Sequence, residues 1–210
     1  MRSPNRDRSN HRSTALCAVS LLLAVLLLAA PAAANTADFT VSENGSVLYA
    51  EAKFSGSTYL LVTPGILGED VALETVSNLT LISADGTVVE PKNTKGTLTF
   101  PEDNYTLTYE VPISGGFIFA KFPDFFDVMV TLPKPYTTGN KILGTVSSGG
   151  VIKEGVENTV VTFNQTNVAS LTFYEENREP ILYAFLAGWL VVFVLAWMRY
   201  RKIKKSRMKI

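Results

Sequence analysis

Across 210 residues the chain carries 19 Lys/Arg and 19 Asp/Glu, one Cys and one His, and 47% of it is hydrophobic. The zero net charge hides a partition: residues 1–34 hold four Arg and one Asp, residues 35–179 hold eight Lys/Arg against eighteen Asp/Glu (net −10), and residues 199–210 hold seven cations and no acid. Eight scattered cations in an acidic middle region supply no phosphate-binding surface, which excludes nucleic acid as its partner. Cys17 and His11 both precede residue 35, so that region also lacks thiolate and imidazole ligands for zinc and the usual Ser-His or Cys-His pairs.

At the N-terminal end, Arg2, Arg6, Arg8 and Arg12 precede an apolar run over residues 15–30, followed by Pro31 and Ala32-Ala33-Ala34. A basic segment, an apolar segment and a small-residue site predict a secretory signal peptide over residues 1–34, cleaved after Ala34. An uncleaved signal anchor is the alternative, since residues 15–34 are long enough to span. Either way the middle region is exported. Cys17 opens the apolar run behind Leu16, without the small residue a lipoprotein site needs there.

Residues 35–179 have the length of one domain. Short alternating runs recur through them, the clearest being NYTLTYEV at 104–111, where Tyr105, Leu107, Tyr109 and Val111 alternate with polar neighbours. Further strands are expected at 46–54, 58–63, 71–75, 78–83, 87–89, 97–100, 117–122, 127–132, 142–146, 159–164 and 168–174. Glu43-Asn44-Gly45, Pro64-Gly65, Asp85-Gly86, Lys95-Gly96 and Gly149-Gly150 are the expected turns. With no 3.6-residue apolar period in the region, the pattern predicts an all-β fold, an antiparallel β-sandwich-like extracytoplasmic domain of about nine to eleven short strands. A division into two lobes near 112–116 is the alternative.

From Pro180 to Met198 no side chain is charged, and nineteen residues at about 1.5 Å each give about 28 Å, close to the ~30 Å core of a bilayer. The segment is read as one C-terminal transmembrane α-helix over 180–198, with Tyr183 near one boundary and Trp197 and Tyr200 near the other. The basic tail, 199–210, is placed in the cytoplasm and the acidic domain outside. EENREP leads straight from the last strand into the span, so the domain stands close above the lipid bilayer, itself the first partner.

Several constellations invite a chemical reading. Phe125-Phe126, expected in a loop held by Pro123, are the candidate exposed contact for a protein partner or the outer leaflet, against the plainer reading of this aromatic stretch as core. Asp124 and Asp127, Glu69-Asp70 and Glu102-Asp103 are carboxylate pairs of the kind that bind Ca²⁺ or serve a glycosidase, yet no calcium-loop pattern accompanies them. Ser147-Ser148-Gly149-Gly150 reads as a glycine turn, with no histidine available as a base. Four N-x-S/T sequons, at Asn44, Asn78, Asn104 and Asn164, are candidate glycosylation sites. Ala184 and Gly188 place two small residues on one helix face, where a second helix can approach. No catalytic residue, cofactor or metal site is expected.

The layout of signal peptide, acidic Cys-free β domain and the juxtamembrane LTFYEENREPILYAFLAGW before a basic tail resembles uncharacterised single-pass surface proteins of archaea. That resemblance implies a cell-surface location and N-glycosylation, and no functional residue is carried over from it. The expected function is a non-enzymatic binding or scaffolding protein with a membrane or envelope protein partner. The alternatives are an accessory subunit of a membrane enzyme or transporter, and a hydrolase using Asp124 and Asp127.

Overall fold

A computed structural model of the protein describes residues 34–62, 75–113 and 115–207, with side chains through residue 201. The signal segment with Cys17 and His11, the Pro64-Gly65 turn, Glu69-Asp70 and most of the strand expected at 71–75 lie outside the described residues.

Period-two alternation builds nearly every element. In β1 (Thr36–Val41) Ala37, Phe39 and Val41 turn inward, and in β2 (Val47–Leu60) Leu48, Ala50, Ala52 and Phe54 do the same. A tight turn through Glu43-Asn44-Gly45 joins them, with Gly45 at φ 69°. β3 (Ser77–Ser83), β4 (Lys92–Thr94), β5 (Thr97–Pro112), β6 (Phe117–Pro133), β7 (Tyr136–Thr137), β8 (Thr145–Val146), β9 (Gly150–Glu154), β10 (Asn158–Thr172) and β11 (Tyr174–Glu175) follow, and then α1 (Arg178–Arg207). Hydrogen bonds order the main sheet β3-β5-β2-β1-β6-β10-β8, with β4 beside β5 and β9 beside β10, while β7 and β11 form a separate pair. Every pairing is antiparallel except β1 with β6. The fold is all-β and sandwich-like, as the alternation predicts.

Register explains how one hydrogen-bonded sheet becomes two layers. The β6·β10 ladder runs from Pro133↔Asn158 at one end to Phe117↔Thr172 at the other. Yet β7, just after Pro133, pairs with β11, just after Thr172. The two ladder ends therefore meet, which requires the ladder to fold back on itself. It does so where the register slips between Phe163 and Val168, and β2·β5 slips likewise between Gly56 and Thr58. Four long strands thus each replace a pair of short strands expected from the sequence: 46–54 with 58–63, 97–100 with 104–111, 117–122 with 127–132, and 159–164 with 168–174. What reads as a turn between them is a crease inside a strand. β1, β4, β7 and β9 are strands beyond those expected, whereas 87–89 contributes only an isolated bridge from Val88 to Ile82.

Both layers turn their apolar faces to a single core, so the division into two lobes is not adopted. At its centre the fully buried Tyr59 ring packs edge-on to Tyr109, Phe122 and Phe126, with centroids 6.2–6.3 Å apart, and stacks on Phe54 at 5.1 Å. Such pairs add about 0.5–1.5 kcal/mol each beyond the area they hide. Burial raises the Tyr109 hydroxyl to a pKa of about 12, and that hydroxyl accepts the Val62 N–H at 3.2 Å.

Candidate functional site

The end of the domain nearest α1 is built around Asn140, which ties three elements together. Its N–H donates to the Tyr174 hydroxyl at 2.8 Å, and its Nδ2 donates to the Tyr183 hydroxyl on α1 at 3.2 Å. Its own Oδ1 accepts the Ile142 N–H at 2.9 Å, and its carbonyl accepts the Gly144 N–H at 2.7 Å, closing a compact turn at 140–144. That turn requires glycine at its end, because a Cβ on Gly144 would lie 2.8 Å from Thr138 Oγ1 and 2.9 Å from the Thr138 carbonyl oxygen. Tyr174 in turn donates to Glu179 in the first turn of α1. Burial first, and then this carboxylate partner, push the Tyr174 pKa up to about 12.

Only Glu176 and Asn177 separate β11 from α1. Asn177 is a favourable residue just before a helix, Glu179 suits the positive end of the helix dipole, and Pro180 is tolerated in the first turn, where its missing N–H costs nothing. Lys134, at the β6–β7 corner, pairs with Glu176 and fixes the approach from the other side. Between this corner and the helix lies a cleft of about 570 Å³, lined by Gly139, Asn140, Glu154, Glu179 and Tyr183 among others. A second, smaller concavity of about 320 Å³ sits on the outer sheet face. There Asp38 stands directly opposite Glu51, and burial together with that carboxylate raises the Asp38 pKa. Among the described residues no group of three His, Cys, Asp or Glu side chains is arranged to hold a metal ion.

The aromatic pair expected as one exposed contact is divided by the strand. Except for Asp124 at the crease, even-numbered residues of β6 face the core, so Phe126 is buried and stacks on Phe122 at 4.3 Å, whereas Phe125 is 62% exposed. No loop forms at Pro123, which lies inside β6 at the crease, where β10 pairs with neither Pro123 nor Asp124 and a missing N–H is tolerated. The crease is also remote from α1. About eight residues of strand at ~3.3 Å each separate Phe125 from Pro133, near the helix end, so Phe125 stands about 25 Å away from it. Asp127 Oδ1 accepts the Gln165 N–H at 2.8 Å and Nε2 at 3.2 Å, which secures the β10 bulge, while Asp124 is exposed on the crease.

Asn44, Asn78, Asn104 and Asn164 are all exposed. Asn44 occupies its expected turn, with Oδ1 accepting from Ser42 and from both the N–H and hydroxyl of Ser46. Asn78 donates to Glu110 at 2.8 Å, Asn104 lies within β5, and Asn164 is at the β10 bulge. Ser147 and Gly150 form the β8–β9 turn, as the glycine reading has it.

Over residues 180–198 α1 carries no charged side chain on any face, and the segment Arg178–Arg201 is long and apolar enough to cross a membrane. The helix continues through Arg207 into the basic tail, and Arg201 stacks over Trp197 at 5.4 Å. Ala184 and Gly188 border a notch of about 340 Å³ flanked by Phe185, Trp189 and Val192, and a Cβ on Gly188 would meet nothing within 4 Å. Asn140, Tyr174 and Glu179 were missed in the sequence because the Asn140 bonds join residues 34 and 43 positions apart, a separation that leaves no local signal.

No protein-family model and no curated protein matches the chain. Among solved structures it is similar to an aminopeptidase N family protein from Idiomarina loihiensis, at 13% identity and a TM-score of 0.39. The match covers 66% of this chain and 29% of that one.

Proposed function

We propose that the protein is a membrane-anchored cell-surface protein whose β domain stands outside the cytoplasmic membrane and binds or scaffolds a membrane or envelope protein beside it, without catalysing a reaction. The observation that carries this reading is the stiff junction. Two residues join domain to helix, and Asn140, Tyr174 and Lys134 brace them, so the domain presents a fixed face at a fixed height. The acidic domain and basic tail support the orientation, with α1 crossing the bilayer and residues 199–210 inside. Phe125, 62% exposed on the crease, is the proposed contact for a partner that reaches above the membrane. The four exposed sequons make the surface a candidate for N-glycosylation, as the resemblance to archaeal surface proteins implies.

The test is crosslinking of the full chain in its native membrane, followed by identification of what is captured. A partner lost on Phe125→Ala with folding retained supports the reading, and capture of lipid alone overturns it. A second reading, as an accessory subunit of a membrane enzyme or transporter, is favoured by the Ala184/Gly188 notch. Replacing α1 by an unrelated span separates the two, because only the accessory subunit then loses its partner.

A further inference from the structure

We propose that the β domain rests on the outer leaflet through two apolar tips, Ile142 and Val156, which form a second membrane contact beside the span. The inference builds on the reading of α1 as a membrane span.

Ile142 is 68% exposed and Val156 is 94% exposed, and both are at the helix end of the domain. The turn carrying Ile142 is fastened to α1 by the Asn140–Tyr183 bond. Val156 tips the β9–β10 hairpin. The Lys134 N–H bonds to Glu157 there, and Glu154 packs so closely on the other turn that a Cβ on Gly139 would touch its carboxylate. The two tips therefore flank one cleft, whose third wall is the start of the helix.

Depth follows from the helix. The segment Arg178–Arg201 is 24 residues, about 36 Å at ~1.5 Å per residue, so it exceeds a ~30 Å hydrocarbon core by about 3 Å at each end. Tyr183 then lies just inside the boundary, and helical side chains slant toward the N-terminus, which carries its hydroxyl back to headgroup level. Asn140 meets that hydroxyl, so Ile142 is held at the same level. Glu154 lines the cleft with Tyr183, and Val156 lies past it at the hairpin tip. A β-branched aliphatic side chain at that level hides apolar surface that water would otherwise cover. Lys141, exposed beside Ile142, reaches phosphate oxygens from the same position.

The experiment uses the full chain with Cys17→Ser, in phosphatidylcholine nanodiscs with and without lipids that carry quenchers at defined depths. A fluorophore is attached in turn at Ile142→Cys, Val156→Cys, Phe125→Cys and Val192→Cys. The expected result is shallow quenching and a blue shift at both tips, deep quenching at Val192 and none at Phe125. Adding Asn140→Ala to Ile142→Cys should reduce the quenching there, because the turn is then no longer held to the helix. Tips that emit like Phe125 while Val192 is quenched overturn the second contact and leave the span intact. Quenching at Phe125 overturns it too, since the domain would then lie on its side. An unquenched Val192 sinks the span and the inference together.

Discussion

Phe126 and Phe193 are the same side chain in opposite surroundings. Phe126 is buried among Phe54, Tyr59 and Phe122, whereas Phe193 stands 66% uncovered on α1, as do its neighbours all round the helix. The β domain hides its apolar surface with its own second layer. The helix leaves that work to whatever solvent surrounds it, and water is the wrong one. Internal packing is therefore a source of stability for the domain and not for the exposed apolar helix, and substitutions should divide accordingly.

The largest effect is expected from Phe126→Ala, at about 3–5 kcal/mol of domain stability in urea unfolding followed by circular dichroism. Phe193→Ala should cost less than about 0.5 kcal/mol in the same measurement. Equal losses would break the comparison. Leu190→Arg, near the middle of the span, should disfavour insertion by about 2.5–3.5 kcal/mol, read as the membrane-bound fraction of newly made protein, while the domain unfolds as before.

Alkali offers a sharper probe of the interior. The Tyr109 pKa is raised from 10.0 to about 12 when folded, so the folded state keeps a proton that the unfolded chain gives up first. Its contribution is complete below pH 10 and is lost as pH climbs from 10 through 12, about 2–3 kcal/mol at the top of that window. Unfolding midpoints across the window should fall less steeply in Tyr109→Phe. An unchanged slope would mean that the hydroxyl is not buried.

At the junction, Asn140→Ala removes the side-chain bond to Tyr183 and the cap on the turn, at about 1 kcal/mol. Hydrogen exchange should quicken in residues 140–144 and stay slow in β6. The smallest expected effect is that of Phe125→Ala, under about 0.5 kcal/mol, because its ring already faces water.

Much of this was legible in the residues. Alternation at Tyr105, Leu107, Tyr109 and Val111 marks strand and inward face together, since a period of two assigns both at once. The same parity, carried back from Val128 and Val130, puts Phe126 inside, but Pro123-Asp124 resembles a loop and breaks the count. Four such creases, at Gly56, residues 101–104, Pro123 and Gln165, look like turns locally. They are bends because the strands on either side stay bonded to the same neighbours, which no window of ten residues can reveal.

Physical chemistry local to the chain decided the all-β class, the membrane-length helix and the charge partition, because alternation, uninterrupted apolarity and net charge are properties of neighbouring residues. Tertiary structure alone decided that short strands fuse into long ones folded double, that Phe125 and Phe126 part company at the end far from the helix, and that Asn140 bolts domain to span. Those outcomes rest on contacts between positions dozens of residues apart, and such contacts exist only once the two layers have closed on their core.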